Sequence, residues 1–182
     1  DKLAGYVSQL DEMLEVVPDA QVIELVRDPR DILSSKKRRA TNGGSYDPIW
    51  DSLAWKTAVR AGTMARQNSP ERLIRVRYED LVTMPEATIK NICQFLNLQY
   101  DENMLSVGLI NSTTMPVQEG GRQIGTAAVG KWKGILPKSD AAACQWMTKV
   151  ELEKNSYDVE SISPLFYLTL PVLAIRSGVE FF

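Results

Sequence analysis

Apolar residues at Leu3, Tyr6, Val7, Leu10, Met13, Leu14 and Val17 recur at helical spacing, so the pattern predicts a helix over residues 2–17. Pro18-Asp19 ends it. Residues 21–27 (QVIELVR) are short and rich in β-formers, and read as a buried strand. Asp28-Pro29 follows at once: a good cap, then a residue suited to the first helical position. A helix is therefore expected to about Ala40, followed by a mobile loop over residues 41–47 (TNGGSYD). Residues 48–67 predict a second helix with Trp50, Leu53, Ala54 and Ala58 on its apolar side. Residues 73–78 (LIRVRY) alternate as a strand, and residues 79–82 form a short turn or helix. A helix from Pro85 to about Leu96 directs Ile89, Ile92, Cys93 and Leu96 inward. Residues 111–131 are rich in Gly, Ser, Thr and Gln with little periodicity; a loop that long inside a compact domain is usually functional. Residues 139–154 predict a final amphipathic helix, and no repeat is visible.

Strands alternating with helices predict an α/β fold with a parallel sheet of the doubly wound type. Ligands in such sheets sit beyond the carboxyl ends of the strands, where Arg27 and Tyr78 both fall.

Composition narrows the possibilities. A hydrophobic fraction of 44% and a charged fraction of 24% suit one soluble domain. The net charge of −2 argues against a general nucleic-acid binder, without excluding a local basic pocket. The chain has no histidine, which removes the commonest general base and metal ligand, and no metal cluster is apparent. Cys93 and Cys144 fit neither a metal spacing nor a disulfide framework, and read as thiols on helices. Residues 1–17 do not resemble a signal peptide. The apolar run 165–175 is interrupted by Thr169 and Pro171 and is shorter than the roughly 20 residues a bilayer span needs. A docked C-terminal segment is expected there rather than membrane contact. The chain opens on Asp rather than Met and is expected to be a fragment.

The chemistry concentrates in Val26-Arg27-Asp28-Pro29-Arg30-Asp31-Ile32-Leu33-Ser34-Ser35. A strand delivers Arg27 to the sheet edge, and a helix then begins whose free N–H groups and dipole would favour an anion. Ser35 and Arg39 are four apart and share a helix face. Arg27, Ser35 and Arg39 would thus offer a forked cation, a hydroxyl and a second cation to one phosphate group. On the plainer reading, Arg27 pairs with Asp31 or Glu79, Lys36-Lys37-Arg38-Arg39 is a solvated face, and Tyr78 is a buried aromatic. Of the basic run, Arg39 alone is expected to turn inward. The four tryptophans read as packing residues, Trp132 also pinning the adjacent Lys131, and Asp28 and Asp31 as cap and first-turn acids.

RDPRDILSS resembles the 3′-phosphate-binding motif of the PAPS-dependent sulfotransferases, with Arg27 and Ser35 at the motif's spacing. Val76-Arg77-Tyr78-Glu79-Asp80-Leu81 is similar to the family's later strand-end motif, whose tyrosine lies near the nucleotide. Val129-Gly130-Lys131-Trp132-Lys133 resembles the element that closes its cofactor loop. The pattern is closer to bacterial members and protein-tyrosine sulfotransferases than to the animal cytosolic enzymes; Arg39, Arg122 and Lys131 match basic positions of the tyrosine enzymes, and Gly125-Thr126-Ala127 stands where the cytosolic enzymes have Arg-Lys-Gly. The resemblance covers roughly residues 18–158.

It implies a P-loop-NTPase-like parallel sheet flanked by helices and incomplete at its N-terminal side. It implies residues 1–158 as a partial sulfotransferase domain, 159–182 as a tail, and PAPS as co-substrate without a metal. Arg27, Ser35, Arg39, Tyr78, Arg122, Gly125 and Lys131 would contact the nucleotide, and the sulfuryl group would pass to a hydroxyl or amine acceptor. The loop that grips the 5′-phosphosulfate and the usual catalytic base are not found and are expected N-terminal to Asp1, so the chain alone is expected to be catalytically incomplete. Cytoplasm is favoured over Golgi lumen. The competing readings are a nucleotide or nucleoside kinase-like phosphotransferase and an inactive nucleotide-binding domain.

Overall fold

The computed structural model describes residues 9–106, 126–163 and Phe166. Helix α1 (Leu10–Val16) leads into strand β1 (Val22–Val26), then α2 (Pro29–Ala40) and α3 (Pro48–Asn68). Strand β2 (Leu73–Arg77) runs directly into α4 (Tyr78–Thr83) and α5 (Pro85–Phe95). A short 3-10 turn, Thr126–Ala128, precedes α6 (Trp132–Ile135) and α7 (Lys138–Lys154).

β1 and β2 pair in parallel, Val22 opposite Leu73 through Val26 opposite Arg77. The intervening α2 and α3 form the crossover that a parallel pair requires. On one face Val26 packs with Trp55, Val59, Leu152 and Tyr157, while Leu73 packs with Leu10 and Ala65. A second cluster of Leu33, Trp132, Leu136 and Cys144 joins α2 to α6 and α7. Full burial of side chains such as Leu33, Leu73 and Leu152 contributes about 1.5–3 kcal/mol each. On the opposite face Ile23 and Leu25 are 42% and 55% exposed, so the sheet is covered by helices on one side and only in part on the other.

The helix starts follow their caps. Asp28 accepts from Arg30 N, with Pro29 first in α2. Asp47 accepts from Ile49 N and Trp50 N, with Pro48 first in α3. α1 is described from Leu10, and residues 2–8 of the predicted helix lie outside the described residues. Three expectations need correction. The buried face of α3 carries Ile49, Ser52, Trp55, Val59, Gly62 and Ala65, whereas Trp50 is 55% exposed and Ala54 faces outward. The predicted stripe followed apolar residues and passed over two small ones: Ser52 donates to the carbonyl of Pro48, and Gly62 lies against the Glu24 carboxylate. Trp146, 43% exposed, is likewise not a core residue. In α5 only Cys93 is fully buried; Ile89, Ile92 and Leu96 are half-buried.

Glu24 and Arg75, partners in the strand register, form an ion pair at 2.6 Å with both side chains 7% exposed. Arg75 also donates to Asn155 Oδ1 at 3.0 Å and to the Val59 carbonyl at 2.9 Å, which joins the sheet to α3 and to the end of α7. Beyond α7, Phe166 packs on Ile49 and Ala143; the rest of the predicted C-terminal segment lies outside the described residues.

Candidate functional site

The in-register pairing brings the two strand ends together, so the residues that follow β1 and end β2 are neighbours. The Arg27 guanidinium lies 4.6 Å from the centroid of the Tyr78 ring. Its Nη2 donates to the Ala128 carbonyl at 2.6 Å, and its backbone carbonyl accepts from Trp55 Nε1 at 2.9 Å. Arg27 Nε is buried and has no hydrogen-bond partner among the described residues. Arg27 pairs with neither Asp31 nor Glu79, the two acids the plainer sequence reading offered it.

Those acids fasten the surrounding backbone instead. Glu79 Oε1 accepts from Asp28 N at 3.0 Å and Glu79 Oε2 accepts from the Tyr157 hydroxyl at 2.9 Å. Burial, and then the Glu79 carboxylate, raise the Tyr157 phenol well above its ordinary pKa, so it remains a donor. Asp31, 1% exposed, accepts from Gly130 N at 2.7 Å and Trp132 N at 2.9 Å. Burial raises its pKa, and the two N–H donors partly offset that rise.

Arg30, 2% exposed, forks onto Asp28 at 3.0 and 2.8 Å, donates to Gln145 Oε1 and the Asp158 carbonyl, and stacks 4.3 Å from the Trp132 ring. Burial opposes its charge, but the Asp28 hydrogen bond and charge prevail and its pKa is raised. The RDPRD segment therefore ties α2 to α4, to the 126–132 segment and to α7.

Two expectations about anion recognition are corrected here. The start of α2 is not a set of free N–H groups: the Asp28 side chain caps Arg30 N, its carbonyl accepts from Asp31 N, and Pro29 has no N–H. Two carboxylates already occupy that positive end, so an anion would be held by side chains. Arg39 does not turn inward and is exposed, while Lys36 and Lys37 are half-buried. Lys36 pairs with Asp51 of α3, and Lys37 lies 5.7 Å from the Tyr46 ring, because α3 packs beside that face of α2.

Of the other predicted residues, Ser35 is half-buried on α2 and Lys131 is exposed at the start of α6. Arg122, Gly125 and most of the predicted 111–131 loop lie outside the described residues. Arg27 and Tyr78 are thus in contact, Trp132 is fixed next to Lys131, and no contact joins Ser35 or Arg39 to Arg27 among the described residues. Sequence reasoning missed Arg30 and the tethering roles of Asp31 and Glu79. The available signal was charge immediately beside a strand end on a buried helix start, where an unpaired acid or arginine is costly.

The structure can be set beside known proteins. “Putative protein-tyrosine sulfotransferase” of Caenorhabditis briggsae is 31% identical over 91 residues, 48% of this chain and 32% of that protein. “Protein-tyrosine sulfotransferase 1” of Danio rerio is 23% identical over 162 residues, 87% of this chain and 44% of that protein. The solved “Sulfotransferase Domain from the Synechococcus PCC 7002 Olefin Synthase” superposes with a TM-score of 0.67 at 28% identity, covering 88% of this chain and 58% of that one. The chain therefore spans less than half the length of these curated relatives. Its fold is the P-loop-like α/β architecture of those domains, represented in part. Since the sulfotransferase family profile also matches residues 1–102, more than half of its length, the chain belongs to the sulfotransferase family.

Proposed function

We propose that the polypeptide transfers a sulfuryl group from PAPS to a hydroxyl or amine acceptor, and that the residues around the β1 end hold the 3′-phosphate of that nucleotide. Family membership favours this over the phosphotransferase reading. The observation that carries the site is the Arg27 guanidinium, stacked on Tyr78 with a buried Nε that has no partner. A buried donor left unmade costs about 1–3 kcal/mol, and a phosphate oxygen would satisfy it. Ser35 adds a hydroxyl donor, Tyr78 orients the guanidinium beside the nucleotide, and Arg39, Arg122, Gly125 and Lys131 contribute the outer contacts.

In the reaction the acceptor oxygen or nitrogen attacks sulfur in line. The bond from sulfur to the bridging phosphate oxygen breaks with its electron pair left on that oxygen, and the acceptor proton passes to a base. Arg27 and Ser35 act at the other end of the donor: they bind and orient it, and the energy gained there is used to position the sulfur. The groups that grip the 5′-phosphosulfate and the base that takes the acceptor proton are, on this proposal, supplied from outside these 182 residues.

Calorimetric titration of the upstream-extended protein with PAP and with adenosine 5′-phosphate tests the assignment. Arg27→Ala should weaken PAP binding by about 1.5–3 kcal/mol, the worth of a charged hydrogen bond, and leave adenosine 5′-phosphate nearly indifferent. Ser35→Ala should show the same selectivity with a smaller loss. Equal losses for both ligands would remove Arg27 from the 3′-phosphate.

A further inference from the structure

Among the described residues two arginines have a buried Nε without a partner, and they terminate the two paired strands: Arg27 just after β1 and Arg77 at the end of β2. Each is stacked on a tyrosine at 4.6 Å, Arg27 on Tyr78 and Arg77 on Tyr157. Arg77 lines a separate pocket of about 380 Å³ between β2, α5 and the C-terminal ends of α3 and α7, and none of Arg27, Ser35 or Tyr78 lines it.

The charges around this pocket do not balance. Arg66, Arg77 and Lys154 line it against one carboxylate, Asp80, which lies 3.3 Å from Arg77 Nη1, while Arg77 Nε is buried without a hydrogen-bond partner among the described residues. Arg75 also lines it, but its charge is matched by Glu24. Arg66 and Lys154 are exposed and form no ion pair among the described residues. Each stands in the last turn of its helix, where it offsets the negative end of the helix dipole. That local role accounts for their presence; it supplies no partner to Arg77 Nε. Asn91 adds an amide and Met84 an apolar wall. Clustered cations and a short apolar surface are the recognition chemistry of a tetrahedral oxyanion carried on a small body.

We propose that this pocket is a second anion site, distinct from the one at Arg27, that takes a small phosphate or sulfate monoester with the oxyanion against Arg77 and the remaining charge met by Arg66 and Lys154. It has a route to the first site, since Tyr157, under the Arg77 guanidinium, donates to Glu79, and Glu79 receives Asp28 N at the head of α2. It does not rest on the nucleotide reading of Arg27.

Calorimetry at low ionic strength with phenyl phosphate and phenyl sulfate as probes tests it, the two esters reporting which oxyanion is preferred. The unsubstituted chain and Arg27→Ala should bind at least one ester at one site with affinities within about twofold of each other. The double variant Arg66→Gln, Lys154→Gln, whose side chains are on the surface, should bind about tenfold or more weakly while remaining folded, its unfolding temperature lowered by roughly a few degrees at most through the lost helix-end charges. Arg77→Lys, checked for folding by circular dichroism, should weaken binding as well. Absence of binding to the unsubstituted chain at millimolar ester, loss of binding in Arg27→Ala, or full affinity in the double variant would each overturn the proposal.

Discussion

Replacing Asp31 by asparagine changes one oxygen to an amide nitrogen in a fully buried position. The carboxylate accepts two backbone donors, Gly130 N and Trp132 N, at 2.7 and 2.9 Å. Asparagine keeps one acceptor and turns an N–H₂ toward the other donor, leaving a buried N–H unmade at about 1–3 kcal/mol. Against this, the substitution removes a carboxylate whose ionised form burial disfavours. The net expectation at pH 7 is a loss of about 1–2 kcal/mol, which for a chain of this size lowers Tm by roughly 2–8 °C. Alanine, which abandons both donors, should cost more.

The pH dependence has a definite sign. The folded pKa of Asp31 lies above its ordinary 3.8, so its protonated form is the one the fold favours. Its contribution is most favourable below that ordinary value and declines as pH rises through the raised folded value. The stability gap between the unsubstituted chain and Asp31→Asn should therefore widen on acidification. Thermal unfolding followed by far-ultraviolet circular dichroism and tryptophan fluorescence, at several pH values, measures both quantities. An Asp31→Asn chain as stable as the original at pH 7, or a gap that narrows in acid, would refute the tethering role.

Two further outcomes are expected. Gly62→Ala places a Cβ 2.1 Å from Glu24 Oε1, so the Glu24–Arg75 pair must shift, and denaturant unfolding should register a loss of about 3 kcal/mol or more. Burial pushes the Cys144 thiol up to about 12, so Cys144 should resist thiol reagents in the folded chain at neutral pH and react only on unfolding, as read by mass spectrometry; prompt native labelling would contradict that burial.

Much of the framework was readable from local sequence. Asp28-Pro29 and Asp47-Pro48 each encode a cap and a first helical residue within two positions, and both helices start there. Arg27 and Tyr78 could be placed together because strand ends in a parallel sheet converge, and they touch. What escaped was set by partners distant in the chain. Asp31 looked like an ordinary first-turn acid because its donors lie 99 and 101 residues away. Arg30 drew no reading of its own from the sequence because Gln145 and Asp158, far along the chain, supply its acceptors. The phase of α3 failed for a different reason: Ser52 and Gly62 occupy the core by being small, a property that hydrophobic patterning does not weigh.

The Glu24–Arg75 pair bears on how the chain finds its strand alignment. Two five-residue strands hold few backbone hydrogen bonds, and Val, Ile and Leu on both tolerate several alignments almost equally. The charges do not tolerate them. Sliding one strand by a single residue would turn Glu24 and Arg75 to opposite faces, and sliding it by two would set Glu24 against Leu73 or Arg77. Either misalignment buries at least one ion without its partner, at a cost of several kcal/mol. The pair thus selects among competing alignments as the sheet forms, and its chief effect is to make the wrong sheets unstable rather than the right one more stable.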